Sequence, residues 1–373
     1  MKTQTETLKL RSQKKTFDYW LIGVTALLVL IGLIVIYDAS VVAAYRDFND
    51  KFHYIKNQLI WTALGAISLT FFSFFNYHRL LKFSSYFLGL SVFFLILVLI
   101  PHVGTQVLGA RRWINIGSFN FQPSEFAKLA VVFYATFIID KFENYKMTLL
   151  DIFIVYFLPI LITTTLVIIQ PDLGTALIFF AITIIIYFIG NAPIWHFLLT
   201  VPFAIVSALV AIATHPYRID RIKAFLDPNF DPQGASYQIN QIIIALASGG
   251  LLGVGIGASR GKFEFIPEVH SDAIFAVLVE ELGFLGAFIL VGLFLFLITR
   301  AINIARNAPD YQGKVLASGI VALIAVQTLF NLAAIVALVP LTGIPLPFIS
   351  YGGSSLFVTL SAIGILLNIK KQS

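Results

Sequence analysis

The sequence predicts an all-α polytopic membrane protein with ten transmembrane helices and both termini cytoplasmic. Three observations carry the prediction. Of 373 residues 58% are hydrophobic and only 12% are charged, with a mean hydropathy of +0.89, a balance no soluble globular domain shows. Apolar runs of membrane-crossing length recur along the chain, divided by short polar or Gly/Pro-rich stretches. The Lys and Arg residues between the runs favour one orientation.

The stretch 1–16 carries Lys2, Lys9, Arg11, Lys14 and Lys15 and reads as a cytoplasmic tail, with residues 17–370 forming one transmembrane domain. The first apolar run, Trp20 to Tyr37, exceeds the roughly 7 to 15 residues of a signal-peptide core, so it reads as a span rather than a cleaved leader. The later runs are Leu59 to Phe75, Leu81 to Ile100, Phe126 to Ile139, Leu150 to Ile169, Thr175 to Ile189, Trp195 to Ala213, Ala273 to Ile298, Val315 to Val339 and Ser355 to Leu367. With flanking residues added to the shorter ones, each crosses a core of about 30 Å.

The segment from Ile239 to Gly257 threatens the count, because it is apolar yet holds Gly249, Gly250, Gly253, Gly255 and Gly257. If it does not cross, the loops place fourteen cations inside and ten outside; if it does, the balance becomes eleven against thirteen. Lys and Arg accumulate in cytoplasmic loops, so the segment is left uncrossed, re-entrant or interfacial. A large extracytoplasmic loop, 214–272, then separates helices 7 and 8.

Several function classes fall away. The absence of cysteine removes disulfides and thiolate metal sites. Basic residues are scattered between spans rather than gathered on a domain, which argues against nucleic acid. No internal repeat marks a secondary transporter. The ten outer cations fit either an anionic ligand on that face or interfacial snorkelling.

The stretch from Ile266 to Phe275, IPEVHSDAIF, gathers Glu268, His270 and Asp272 just before an apolar run. Asp272 suits an N-cap and a general base equally. His270 could tune it or satisfy a loop hydrogen bond, and the spacing lacks the helical i, i+4 interval of a zinc pair. Arg111 and Arg112 are adjacent guanidiniums suited to a pyrophosphate or to surface anchoring. Glu125 and Lys128 share a helix face at a span start, as a structural pair or a functional one. Asp172 reads mainly as a cap, and Glu280 and Glu281 need a partner that the pattern does not identify. The Pro- and Gly-rich stretch 340–354 dictates irregular backbone, tolerable at membrane depth only when buried in protein or lining a cavity.

Five ordered motifs then resemble the SEDS family of FtsW, RodA and SpoVE: GARRWINIGSFNFQPSEFAKLA, QPDLGTA, FLDPNFDPQGASYQINQ, IPEVHSDAIFAVLVEELG and TGIPLPFISYGGSS. The resemblance implies ten spans in the bacterial cytoplasmic membrane and polymerisation of lipid II into peptidoglycan glycan strands on its outer face. It implies a class B penicillin-binding protein as partner, among divisome or elongasome membrane proteins. The essential aspartate of that family falls on Asp272, the arginine of its GA-x-RW motif on Arg112 with Arg111 at the variable position, and its PSE-x-x-K pair on Glu125 and Lys128. Ala273 departs from the family, which commonly has phenylalanine there. The wording SRGKFEFIPEVHSD and the stretch 308–310 resemble FtsW more than RodA, implying septal synthesis rather than elongation. The implied reaction is inverting displacement of polyprenyl diphosphate, with Asp272 as base, Arg111 and Arg112 meeting the diphosphate, and Glu125, Lys128, Glu268 and His270 shaping the cavity. No cofactor is required, although a divalent cation, Mg or Mn, could assist. The rival readings are a lipid II flippase and a silent scaffold.

Overall fold

The computed structural model describes residues 17–107, 109–117, 119–144, 148–214, 216–227, 229–262, 266–267 and 269–373. The chain begins with α1 (Tyr19–Phe48), α2 (His53–Phe74), α3 (Tyr77–Lys82) and α4 (Ser84–Leu97). Strands β1 (Gly104–Val107), β2 (Ala110–Ile116) and β3 (Phe119–Phe121) precede α5 (Pro123–Asn144). Next come α6 (Leu149–Ile152), a π-turn over Phe153–Phe157, α7 (Leu158–Ile169), α8 (Leu173–Ile189), α9 (Trp195–Ala213), α10 (Pro216–Leu226) and α11 (Tyr237–Gly249). The last helices are α12 (Ile274–Arg306), α13 (Tyr311–Ile335) and α14 (Gly353–Gln372).

The predicted apolar runs lie mostly within these helices. Among the described residues six helices are long and apolar enough to cross a membrane: α1, α6 continuous with α7, α9, α12, α13 and α14. Apolar α4 and α8 are shorter. The bundle is organised around α14, buried over 89% of its apolar window, whereas α9 is buried over only 11% and leaves most of its surface for lipid. Helices α2 and α14 meet through small residues: a Cβ on Gly364 would stand 2.4 Å from the Leu69 carbonyl oxygen. The Ser68 and Ser361 hydroxyls lie 2.6 Å apart across that contact, an arrangement typical of helices packed without a hydrophobic driving force.

The all-α expectation needs one correction. Helices make up 74% of the fold, but the stretch 104–121 forms a three-stranded antiparallel sheet, β1-β2-β3. Its pattern alternates with period two, and in the β2–β3 register Ile114 pairs with Phe121, Asn115 with Asn120 and Ile116 with Phe119. Gly109 (φ 80°) and Gly117 (φ 62°) adopt the left-handed backbone that tight connections between strands require.

The segment from Ile239 to Gly257 divides in two. Helix α11 has 13 residues, about 20 Å of rise, too short for a span. The following glycines dock onto α12 where it breaks, at Gly283 (φ 65°, ψ −167°). An unbroken helix would bond the Phe284 and Leu285 amides to the Glu280 and Glu281 carbonyls. Here the amides donate instead to Gly250 O (2.9 Å) and Leu251 O (3.2 Å). The freed carbonyls accept from Val254 N (2.9 Å) and Gly255 N (3.1 Å). Only glycine permits this approach, since a Cβ on Gly253 would stand 2.0 Å from Glu281 O.

The irregular stretch between α13 and α14 is buried as its composition requires. Leu346, Phe348 and Ile349 are core residues. A Cβ on Gly32 would lie 2.3 Å from the Phe348 carbonyl oxygen, so the stretch descends beside the middle of α1. Ser350 Oγ accepts from Leu346 N at 2.8 Å and satisfies one of its amides.

Candidate active site

Asp272 sits in the turn that leads into α12. The N-cap position of α12 is Ala273, one residue beyond Asp272. The turn is held from two sides. Asn331 Nδ2, on α13, donates to Asp272 O (2.8 Å) and to Ile344 O (2.7 Å). Tyr351 N donates to His270 O at 2.9 Å. Gly343 (φ 70°) stands against the carboxylate, where a Cβ would be 3.9 Å from Asp272 Oδ2.

His270 packs against the rings of Tyr54 and Tyr351, with centroids 4.4 and 5.5 Å away. Burial pulls its pKa down to about 4, outweighing the nearby Asp47 charge, so the imidazole is neutral at pH 7. Its chemistry is that of a wedge that fixes the turn.

Glu125 and Lys128 form a buried pair on α5, 2% and 1% exposed. Lys128 Nζ donates to Glu125 Oε1 and to Gln327 Oε1, both at 2.8 Å. Gln327 Nε2 in turn donates to Pro345 O at 2.9 Å. Gln327 and Asn331 lie one turn apart on α13, so one helix face links the pair, the 344–345 backbone and the Asp272 turn.

The arginines converge on the corner between α7 and α8. The register of β1 against β2 shifts between Thr105 and Gln106, leaving Arg112 without a Cα partner. Such a bulge re-aims a side chain, and Arg112 donates to Gln170 O (3.1 Å) and Pro171 O. Arg111 lines an open groove of about 290 Å³ with Leu99, Gln106, Gly109, Ile169, Gln170 and Pro171. Arg218, on α10, reaches Ile168 O (3.2 Å) and Ala211 O. Its pKa is lowered first by burial and then by the Arg112 charge, while Asp172 opposes the shift. Asp172 caps α8, accepting from Thr175 N (3.0 Å) and Thr175 Oγ1 (2.9 Å). Arg221 donates to Leu341 O at 2.8 Å.

The FtsW/RodA/SpoVE family of cell cycle proteins matches residues 19–373. The chain belongs to that family. It is 41% identical over 364 residues to Stage V sporulation protein E of Bacillus subtilis, covering 97% of this chain and 99% of that protein. It is 38% identical over 353 residues to the probable peptidoglycan glycosyltransferase FtsW of Trichlorobacter lovleyi, covering 95% and 93%. A chain of a solved peptidoglycan synthase complex, described by its coordination of polymerization and crosslinking, superposes with TM-score 0.78 at 27% identity. That match covers 96% of this chain and 98% of the other. The rod shape determining protein RodA of Thermus thermophilus gives TM-score 0.69 at 26% identity, covering 96% and 97%.

Within this FtsW/RodA/SpoVE chain, then, the structure joins Asp272 and His270 to the Glu125–Lys128 pair through α13. It sets Arg111 and Arg112 together at the α7–α8 corner. Glu268 lies outside the described residues. Sequence reasoning missed Gln327 and Asn331, although two amides four apart in an otherwise apolar run were a readable signal. It counted Arg218 and Arg221 as outer cations without giving either a site role. Among the described residues no group of three or more His, Asp or Glu side chains could hold a metal ion.

Proposed function

We propose that this chain is a peptidoglycan glycosyltransferase that polymerises lipid II on the outer face of the bacterial cytoplasmic membrane, in septal wall synthesis. The ten-span arrangement with both termini inside belongs to this reading. A class B penicillin-binding protein, within the division machinery, crosslinks the strands. The observation that carries the reading is the Asp272 turn just ahead of α12, clamped by Asn331 and by the His270–Tyr351 contact, with Gly343 standing against the carboxylate. The names of the relatives and of the solved synthase complex support the same activity.

In the reaction, the 4-hydroxyl oxygen of the acceptor sugar attacks the anomeric carbon of the donor. The bond from that carbon to the diphosphate breaks, its electron pair leaves with polyprenyl diphosphate, and Asp272 takes the hydroxyl proton. A single displacement inverts the anomeric centre. The leaving group needs positive charge more than a strong acid, and Arg111 and Arg112 supply it. Glu125 and Lys128 shape the wall behind the site, and His270 holds the turn in a neutral state. No step of this reaction requires a metal ion.

The test is polymerisation of lipid II by the purified chain with its crosslinking partner. Asp272→Asn is expected to abolish polymer while leaving the fold intact. Polymer at the parent rate from that variant would refute the base assignment, and translocation of lipid II without polymer from the parent chain would replace the reading with a flippase.

A further inference from the structure

A second ionisable network lies near the Asp272 turn, and the reaction above uses none of it. Lys262 Nζ stands 2.9 and 3.2 Å from the two carboxylate oxygens of Asp38, on α1, and 3.2 Å from Glu281 Oε1, on α12. All three side chains are largely removed from solvent, with 4%, 19% and 8% exposure for Lys262, Asp38 and Glu281. Glu281 also accepts from Ser259 N at 3.2 Å. Its neighbour Glu280 accepts from the Ser259 hydroxyl, Arg260 N (3.0 Å) and Gly261 N (3.3 Å). Charges this deep persist only when paired and hydrogen-bonded, and together they fix the loop, α1 and α12 in one arrangement.

The break at Gly283 gives that arrangement a consequence. Residues 274–282 form nine residues of helix, about two and a half turns, whose direction the rest of α12 does not dictate. Asp272 immediately precedes this short segment, and Glu280 and Glu281 sit at its other end. Asn331 holds one end of the segment by the Asp272 carbonyl; the Asp38–Lys262–Glu281 network and the exchanged backbone bonds hold the other. A tilt at the Glu281 end would be carried as a displacement of Asp272.

We propose that Lys262, bridging Asp38 and Glu281, is a positioning residue for Asp272, setting the carboxylate through the short helix 274–282. The proposal rests on the reading of Asp272 as the base. Lys262 does not touch substrate in it.

The test uses the full chain in lipid nanodiscs with lipid II as substrate. Lys262→Met is expected to lower kcat by up to about 100-fold, the cost of roughly 1 Å of misplacement, with KM within about 2-fold of the parent. Lys262→Arg, which keeps the charge and the reach, restores most of kcat. Because the chain has no cysteine, spin labels at Ser271→Cys and Leu338→Cys report the turn directly. Their distance distribution is expected to broaden in Lys262→Met and narrow again in Lys262→Arg. A folded Lys262→Met protein with parent kcat, or with an unchanged label distance, overturns the proposal. Should Lys262→Met not fold, Glu281→Gln, which keeps a hydrogen-bonding side chain, is subject to the same expectations. A parent chain that makes no polymer would refute the glycosyltransferase reading, while the label distances would still decide the positioning claim.

Discussion

Removing Lys128 alone should damage the protein more than removing both members of its buried pair. The Nζ to Oε1 distance is 2.8 Å, and the two residues are 1% and 2% exposed. At an effective dielectric of about 20, two charges at that distance attract by about 6 kcal/mol. Withdrawing both ions from water costs several kcal/mol each, so the intact pair is close to neutral for stability. Lys128→Met leaves Glu125 charged in the bundle and Gln327 Oε1 without its donor. The first loss costs about 3–5 kcal/mol, and the second adds about 1 kcal/mol. The double variant Glu125→Gln with Lys128→Met removes the stranded charge and should recover most of that loss. Unfolding free energies, from detergent titration followed by helical circular dichroism, should give a coupling of about 3–5 kcal/mol. Additive losses, or a double variant less stable than Lys128→Met, would refute the argument from charge burial.

Asn331→Leu strips the donor from two carbonyls, Asp272 O and Ile344 O, and should cost about 1–3 kcal/mol for each left unsatisfied, with turnover falling more than substrate affinity. Steady-state kinetics on the folded variant checks this, and unchanged kcat would show that the clamp does not set the Asp272 turn. His270 makes stability depend on pH with a defined sign. Its pKa lies near 4 in the fold and near 6.5 when unfolded, so the unfolded chain binds the extra proton between those values. Stability is therefore complete above about pH 6.5 and falls as pH drops toward 4, by up to roughly 3 kcal/mol. The difference between the stability-versus-pH curves of the parent and His270→Phe should show this slope, and superimposable curves would refute it.

The helices were legible because apolar run length is a one-dimensional signal, and the runs from Trp20 to Leu367 fall mostly within helices. The small sheet was equally legible in principle: INI and FNF alternate with period two, separated by Gly117 and Ser118. It was missed because a loop between spans was read for its charges rather than its periodicity. The Asp272 assignment lay beyond spacing alone, since cap and base share the same sequence position. The structure puts Ala273, one residue later, at the N-cap position of α12. No short-range pattern could place Gln327 against Lys128, 199 residues away, or Lys262 against Asp38, 224 residues away. Those contacts depend on which helices become neighbours, and the break at Gly283 depends on the docking of the glycine-rich segment 250–255, which local propensity does not reveal.

The arginines show a division of labour that bears on the chemistry. A guanidinium paired with a carboxylate is held in place but neutralised, and has little field left for an anionic leaving group. Arg112, Arg218 and Arg221 are held instead by backbone carbonyls: Gln170 O and Pro171 O, Ile168 O and Ala211 O, and Leu341 O. Several of these lie at or just past the C-terminal ends of α7 and α9, where unsatisfied carbonyls and the helix dipole favour cations. Carbonyl dipoles fix each side chain and leave its formal charge intact. The Asp172 carboxylate at the corner accepts from the Thr175 amide and hydroxyl. The fold thus concentrates fixed positive charge at the α7–α8 corner, only partly offset by Asp172, the preorganised condition under which a departing diphosphate is stabilised with little rearrangement of the protein.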